Sequence, residues 1–184
     1  MKIRLATPEI QKDSVVDGEG IRAVIWTQGC PHHCPGCHNP ETHSFTSGYL
    51  VDTSNIKEQI KNLEFHTGIT LSGGDPMMQV EACLELVKYA RELNLDVWCY
   101  TGFTFEELLI AMKTKTIIKE FLNSIDVLVD GKFKIEEKTY DSVFRGSKNQ
   151  RIIDCKESLK KNKVVEIEKY NHQIYKKEEI RVYI

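Results

Sequence analysis

Residues 68–102 read GITLSGGDPMMQVEACLELVKYARELNLDVWCYTG, and this stretch decides the fold. GITL at 68–71 is a short apolar run closed by SGGDP, so it reads as a buried strand ended by a glycine turn. MMQVEACLELVKYAREL at 77–93 carries apolar residues at helical spacing. DVWCY at 96–100 is apolar again, with β-branched and aromatic members, and TGF follows it. Strand, helix, strand at these lengths is a βαβ unit, with the two strands parallel and the crossover right-handed.

The same alternation extends both ways. Upstream, IRAVIWT at 21–27 is a continuous apolar strand, and residues 28–48 form a long loop rich in Cys, His, Pro and Gly. DTSNIKEQIKNLE at 52–64 is a helix with Asp52 or Thr53 as its cap and Ile56, Ile60 and Leu63 on one face. Downstream, Thr104 and Glu107 form a capping box that starts the helix TFEELLIAM. A second helical piece covers about 116–123, IDVLV at 125–129 is a strand ending in DGKF, and RIIDC follows the loop RGSKNQ. The expected architecture is α/β: an open, partial (β/α) barrel with mostly parallel strands, since there are too few units to close eight. QGC, SGGDP, YTGF and DGKF all fall just after strands. In parallel α/β folds the working site lies at those carboxyl ends, so four loops are expected to share one mouth. One domain is expected over 1–184, with a core of about 17–155. KVVEIE and IRVYI in the 156–184 extension are candidates for edge strands, and no function is legible in them.

Composition narrows the function classes. The 184 residues are 41% hydrophobic and 28% charged, with a net charge of −2. No basic excess argues for nucleic acid, and no apolar run approaches the ~18 residues of a membrane span. The first residues lack the apolar run of a signal peptide, so the expected location is the cytoplasm. Six cysteines there stay reduced. Cys83, Cys99 and Cys155 sit in apolar runs and read as small buried hydrophobes.

Cys30, Cys34 and Cys37 are different. Their spacing is C-x3-C-x2-C, in Cys30-Pro-His-His-Cys34-Pro-Gly-Cys37-His-Asn. Structural zinc wants four ligands, often two C-x2-C pairs, and no second pair lies downstream. His32, His33 or His38 can complete such a site, so zinc stays open. A closed four-cysteine cluster needs a distant fourth thiolate. Three soft thiolates in a cytosolic protein suit an iron–sulfur cluster with one iron left open, the vacancy a catalytic centre needs.

This cysteine spacing after the first strand of an α/β chain resembles the radical S-adenosylmethionine superfamily. The resemblance implies a 4Fe-4S cluster held by Cys30, Cys34 and Cys37, with S-adenosylmethionine on the open iron. Chemistry then belongs to cluster and cofactor, and no catalytic acid, base or nucleophile is assigned. Gly73, Gly74 and Asp75 of SGGDP resemble that family's GGEP-type motif, with Asp for Glu. The glycine backbone would approach the cofactor, and Asp75 would meet the methionine ammonium. Tyr100 and Lys132 end later strands and would line the same pocket, Lys132 toward the carboxylate or ribose. Many members place an aromatic residue before the third cysteine. Gly36 stands there, so the backbone around Gly36, Cys37 and His38 would face adenine.

Asp17-Gly18-Glu19-Gly20-Ile21-Arg22 is a polar turn leading into a strand. It resembles the DGxGxR motif of glycyl-radical activating enzymes, which implies that Asp17, Gly18, Gly20 and Arg22 help hold a partner's glycine loop. RGSKNQR at 145–151, with YTGF and DGKF, resembles the activating proteins of anaerobic (class III) ribonucleotide reductases from about Asp17 to Arg151. This implies hydrogen abstraction from a glycine of the reductase large subunit, with Arg145 at the partner surface and a flavodoxin-like one-electron donor. Another glycyl-radical activase, a small-molecule enzyme of the deazaguanine synthase type, and a non-catalytic zinc module are the alternatives.

Overall fold

The structure, a computed structural model, describes residues 1–171. Its strands are β1 (Lys2–Leu5), β2 (Gln11–Ser14), β3 (Arg22–Thr27), β4 (Tyr49–Asp52), β5 (Gly68–Gly73), β6 (Asp96–Tyr100), β7 (Val127–Asp130) and β8 (Arg151–Asp154). Its helices are α1 (Thr53–Lys61), α2 (Val80–Glu92), α3 (Phe105–Ala111), α4 (Thr116–Ser124) and α5 (Cys155–Lys161). All eight strands share one sheet, ordered β4-β1-β3-β5-β6-β7-β8, with β2 paired to β3. The central strands β3, β5, β6 and β7 are parallel, and their neighbours at both sides are antiparallel. The protein is therefore a mixed α/β structure with a parallel centre.

The βαβ unit at 68–102 forms as its sequence pattern predicts, with one change. Pro76–Gln79 is a separate 3-10 turn, and the α-helix starts only at Val80. Asp75 causes this: its carboxylate accepts from the Met77 N–H and caps the turn instead of a continuous helix. The capping box at Thr104 and Glu107 is present with both reciprocal bonds. RIIDC divides, because Asp154 accepts from the Glu157 N–H and makes Cys155 the first residue of α5.

Strand order within the parallel centre follows chain order, so every crossover has the same hand and the helices gather on one face. Along β6 the pleat sends Val97 and Cys99 to that helical face and Trp98 to the other. The large core joins Ile25, Ile69, Leu71, Cys99 and Leu128 to Leu86, Val87 and Phe121 of the helices. A smaller cluster on the opposite face joins Trp98, Val127, Val129 and Ile152 to Tyr170.

Four elements escape the sequence pattern: β1, β2, β4 and α5. β1 lies between β3 and β4 and completes an antiparallel flank built from chain ends 49 to 52 and 2 to 5. In the extension, 155–161 is helical, and KVVEIE contributes one antiparallel bridge, Ile153 with Glu166. IRVYI at 180–184 lies outside the described residues. Among the described residues no helix is long and apolar enough to cross a membrane.

Candidate functional site

Parallel pairing brings the carboxyl ends of β3, β5, β6 and β7 to one edge of the sheet. A cavity of about 390 Å³ opens there. Its wall is made of Cys30, Cys34, Cys37 and His38 from the loop after β3, and Ser72, Gly73 and Gly74 from β5 and its turn. Tyr100, Thr101 and Gly102 come from the end of β6, and Gly131 and Phe133 follow β7. Arg145, Gly146 and Gln150 of RGSKNQR complete it with Val16 and Asp17. The four strand-end loops thus do share one mouth.

The cysteine loop is held by backbone bonds at its root. Gly29 N–H donates to Thr42 O (2.8 Å) and Cys30 N–H to His43 O (3.1 Å). Gln28 spans the loop from inside, its amide donating to Glu41 O and Ser44 O. Cys37 N–H donates to Cys34 O (3.1 Å), a tight turn that sets the last two thiols on the same wall. All three thiols are partly exposed, whereas Cys83, Cys99 and Cys155 are fully buried. Burial pushes the Cys30 and Cys34 thiols up; the backbone at His32 opposes this for Cys30, and the backbone at Phe133 and the Lys132 charge oppose it for Cys34. Burial disfavours ionisation of the other three: desolvation raises Cys83 and Cys99 far up and Cys155 to about 12.

Among the described residues, no three His, Cys, Asp or Glu side chains converge on one metal-ion position. A zinc site needs that convergence, and of the nearby histidines His32 has its Nε2 on Asp75. His32 Nε2 lies 2.7 Å from Asp75 Oδ2, His33 packs edge-on to His43, and His38 packs on Phe133. A cluster takes each thiolate on a separate iron and suits three thiols distributed along a wall.

Asp75 sits apart from its expected role. It is 0% exposed and does not line the cavity. Its two oxygens accept from Met77 N–H (2.9 Å), Thr101 Oγ1 (3.0 Å), Gly102 N–H (3.0 Å) and His32 Nε2 (2.7 Å). An ionised carboxylate only accepts, so His32 is the donor. One carboxylate therefore ties together the cysteine loop, the SGGDP turn and the YTGF turn. In this structure both Asp75 oxygens serve these scaffold contacts, away from the cavity lining where the methionine-ammonium contact is expected.

Gly73 and Gly74 do line the cavity, and packing explains why they are glycines. Gly73 has φ +99°, and a Cβ on Gly74 would stand 2.6 Å from Gly29 O, which is backbone of the cysteine loop. Gly74→Ala is expected to displace that loop, cost about 1–3 kcal/mol by overpacking, and lower iron content after reconstitution. Iron per chain, measured beside thermal unfolding, checks it.

The remaining sequence candidates separate into two groups. Tyr100, Asp17, His38 and Arg145 line the cavity. Tyr100 donates from its hydroxyl to Phe144 O (2.8 Å). Lys132 is exposed and Gly36 packs against Ile135, and neither side faces the cavity wall. Arg22, Gly18 and Gly20 build the turn from within. Arg22 is 0% exposed, donates to Thr70 Oγ1, Ile69 O and Glu19 O, and forms an ion pair with Asp96 at 2.6 Å. A Cβ on Gly18 would strike Arg22 and Trp98, and one on Gly20 would strike Thr67. Only Asp17 of that motif reaches the cavity. The sequence offered His32 only as a candidate zinc ligand and Thr101 only as part of the strand end after Tyr100, and gave no role to Phe133, which lines the cavity with them.

A family model for a 4Fe-4S single cluster domain matches residues 16–153. The fold and its cysteine-lined cavity thus define a single-cluster iron–sulfur protein on an α/β sheet. The anaerobic ribonucleoside-triphosphate reductase-activating protein of Pasteurella multocida (strain Pm70) is 36% identical over 146 residues, 75% of this chain and 90% of its own. The proteins of that name from Haemophilus influenzae and Enterobacteria phage T4 are 38% and 36% identical, covering 75% and 74% of this chain and 90% and 86% of theirs. The chain belongs to the family of anaerobic ribonucleoside-triphosphate reductase-activating proteins.

Proposed function

We propose that this chain activates an anaerobic ribonucleotide reductase by generating a glycyl radical on its large subunit. The observation that carries this reading is the meeting of three thiols with two strand-end glycine turns around one cavity. Cys30, Cys34 and Cys37 hold the 4Fe-4S cluster and leave one iron for S-adenosylmethionine. Bound together, the two groups supply one-electron reductive cleavage to methionine and a 5′-deoxyadenosyl radical, which takes a hydrogen atom from glycine. The chain's own residues bind and orient. Gly73 and Gly74 give close backbone approach on the cavity wall, beside the root of the cysteine loop. Tyr100, held by its bond to Phe144 O, stiffens the wall on the β6 side. The backbone at Gly36–His38 borders the adenine side, Lys132 brings positive charge near Cys34, and Asp17 and Arg145 meet the incoming glycine loop.

In this reading the mixed sheet with its parallel centre serves as a single-domain partial barrel of radical S-adenosylmethionine type, whose open side would admit a loop of a folded protein. Glycine has no Cβ, so its Cα reaches a narrow site. The protein works in the cytoplasm, with a flavodoxin-like one-electron donor. The test is anaerobic reconstitution with iron and sulfide, followed by reductant, S-adenosylmethionine and the reductase. Release of 5′-deoxyadenosine with a glycyl-radical doublet in the electron paramagnetic resonance spectrum is expected. A colourless protein holding one tight zinc ends the proposal.

A further inference from the structure

The extension beyond the matched family region returns to the cavity. Residues 165–167 run antiparallel to β8, with Asp154 N–H donating to Val165 O and Ile167 N–H to Ile152 O, each 2.9 Å. The turn at Glu168–Tyr170 then sets Tyr170 against Trp98 and Phe144, with both ring pairs 5.5 Å apart and edge-on. The Tyr170 hydroxyl donates to Glu19 Oε2 (2.6 Å), inside the DGEG turn. The next residue, Asn171, accepts from Arg145 Nη1 (3.3 Å), inside RGSKNQR. Two consecutive residues of the extension thus grip the two loops that carry Asp17 and Arg145.

Both loops border the open side. Val16, which lines the cavity beside Asp17, is 70% exposed. Arg145 Nη1 also donates to Gln150 O (3.1 Å), while its Nε is buried without a hydrogen-bond partner among the described residues. A buried N–H in want of an acceptor suits a carbonyl or carboxylate oxygen of an entering chain. The Lys169 contact to Glu19 adds little, since both side chains are more than half exposed. The Tyr170 bond counts for more, because the tyrosine is 6% exposed and its acceptor is ionised.

We propose that Tyr170 and Asn171 are positioning residues for the protein substrate: they fasten the 17–20 turn to the 145–150 loop and aim Arg145 at a main-chain carbonyl or carboxylate of the entering segment. This rests on the functional reading above, in which a loop of the reductase enters the cavity. Tyr170 and Asn171 do not themselves line the cavity that holds the thiols, so cluster assembly and cofactor cleavage are not expected to depend on them.

The test uses the reconstituted full chain, with Tyr170→Phe, which deletes one hydroxyl and keeps the ring, and Asn171→Ala. Three quantities are read: the dissociation constant for the reductase by titration, glycyl-radical yield against reductase concentration, and 5′-deoxyadenosine released without reductase. For Tyr170→Phe the dissociation constant and half-saturating reductase concentration rise about tenfold, the worth of one hydrogen bond to a charged group. Asn171→Ala shifts both in the same direction by less. Iron content and reductase-free cleavage stay at wild-type level in both. Unchanged affinity in both variants overturns the positioning role, as does loss of iron and cleavage in proportion to radical yield. A wild-type protein that cleaves the cofactor but leaves no radical on the reductase overturns the functional reading itself, and the proposal with it.

Discussion

Cys34→Ala abolishes glycyl-radical formation and removes most of the bound iron and sulfide, while the apoprotein unfolds at nearly the wild-type temperature. In the proposed site three thiolates would leave one iron without a protein ligand, so losing Cys34 would leave two ligands for four irons. No other cysteine can substitute. Cys83, Cys99 and Cys155 are fully buried on the helical side of the sheet, where desolvation keeps them protonated. The Cys34 side chain is partly exposed on a loop and belongs to no core cluster. Its removal therefore costs little packing, within about 1 kcal/mol for a surface position. Iron and sulfide per chain, the absorption band near the visible edge and apoprotein melting separate the two effects. Retention of full iron in Cys34→Ala would sink the three-thiolate site.

Asp75→Ala is the second large effect, and it appears as lost stability before lost activity. The substitution leaves four buried or half-buried donors without their shared acceptor: the Met77 and Gly102 N–H groups, the Thr101 hydroxyl and His32 Nε2. Losing the one acceptor shared by these donors is expected to cost about 3–5 kcal/mol, a few times the roughly 1–3 kcal/mol of a single unsatisfied polar group. At roughly 2–4 °C per kcal/mol for a chain of this size, thermal unfolding falls by about 6–20 °C. Because His32 belongs to the cysteine loop, iron occupancy declines as well. Asp75→Asn keeps one acceptor oxygen but turns an amide donor toward other donors, and its cost lies between wild type and alanine. Circular dichroism melts of both variants decide the matter. A melting temperature equal to wild type, with activity lost, would return Asp75 to the role of a cofactor contact.

The two substitutions mark the boundary between what was legible in the chain and what was not. The three cysteines are close in sequence, and their spacing alone announced a metal centre. Asp75 announced itself only as an acidic residue after two glycines. Its partners come from a loop 43 positions upstream and turns 26 and 27 positions downstream. Without those partners a carboxylate beside a cofactor-like motif reads most simply as a ligand contact. Arg22 repeats the lesson: a charged residue in an apparently exposed turn is fully buried because Thr70, Ile69 and Asp96 meet it.

By itself the sequence determined the parallel centre of the sheet, the capping box at Thr104, the grouping of three cysteines on one loop and the strand ends that carry glycine turns. Those features rest on hydrophobic period and turn chemistry, which neighbouring residues set. Only the tertiary structure decided β1, β2 and β4, whose four-residue runs are too short to carry a period and exist through antiparallel pairing with distant chain. Only it showed the extension closing on Glu19 and Arg145, since hydrogen bonds spanning 151 and 26 positions leave no local trace. Burial of a charge depends on which partners the fold delivers, and that is a property of the assembled sheet.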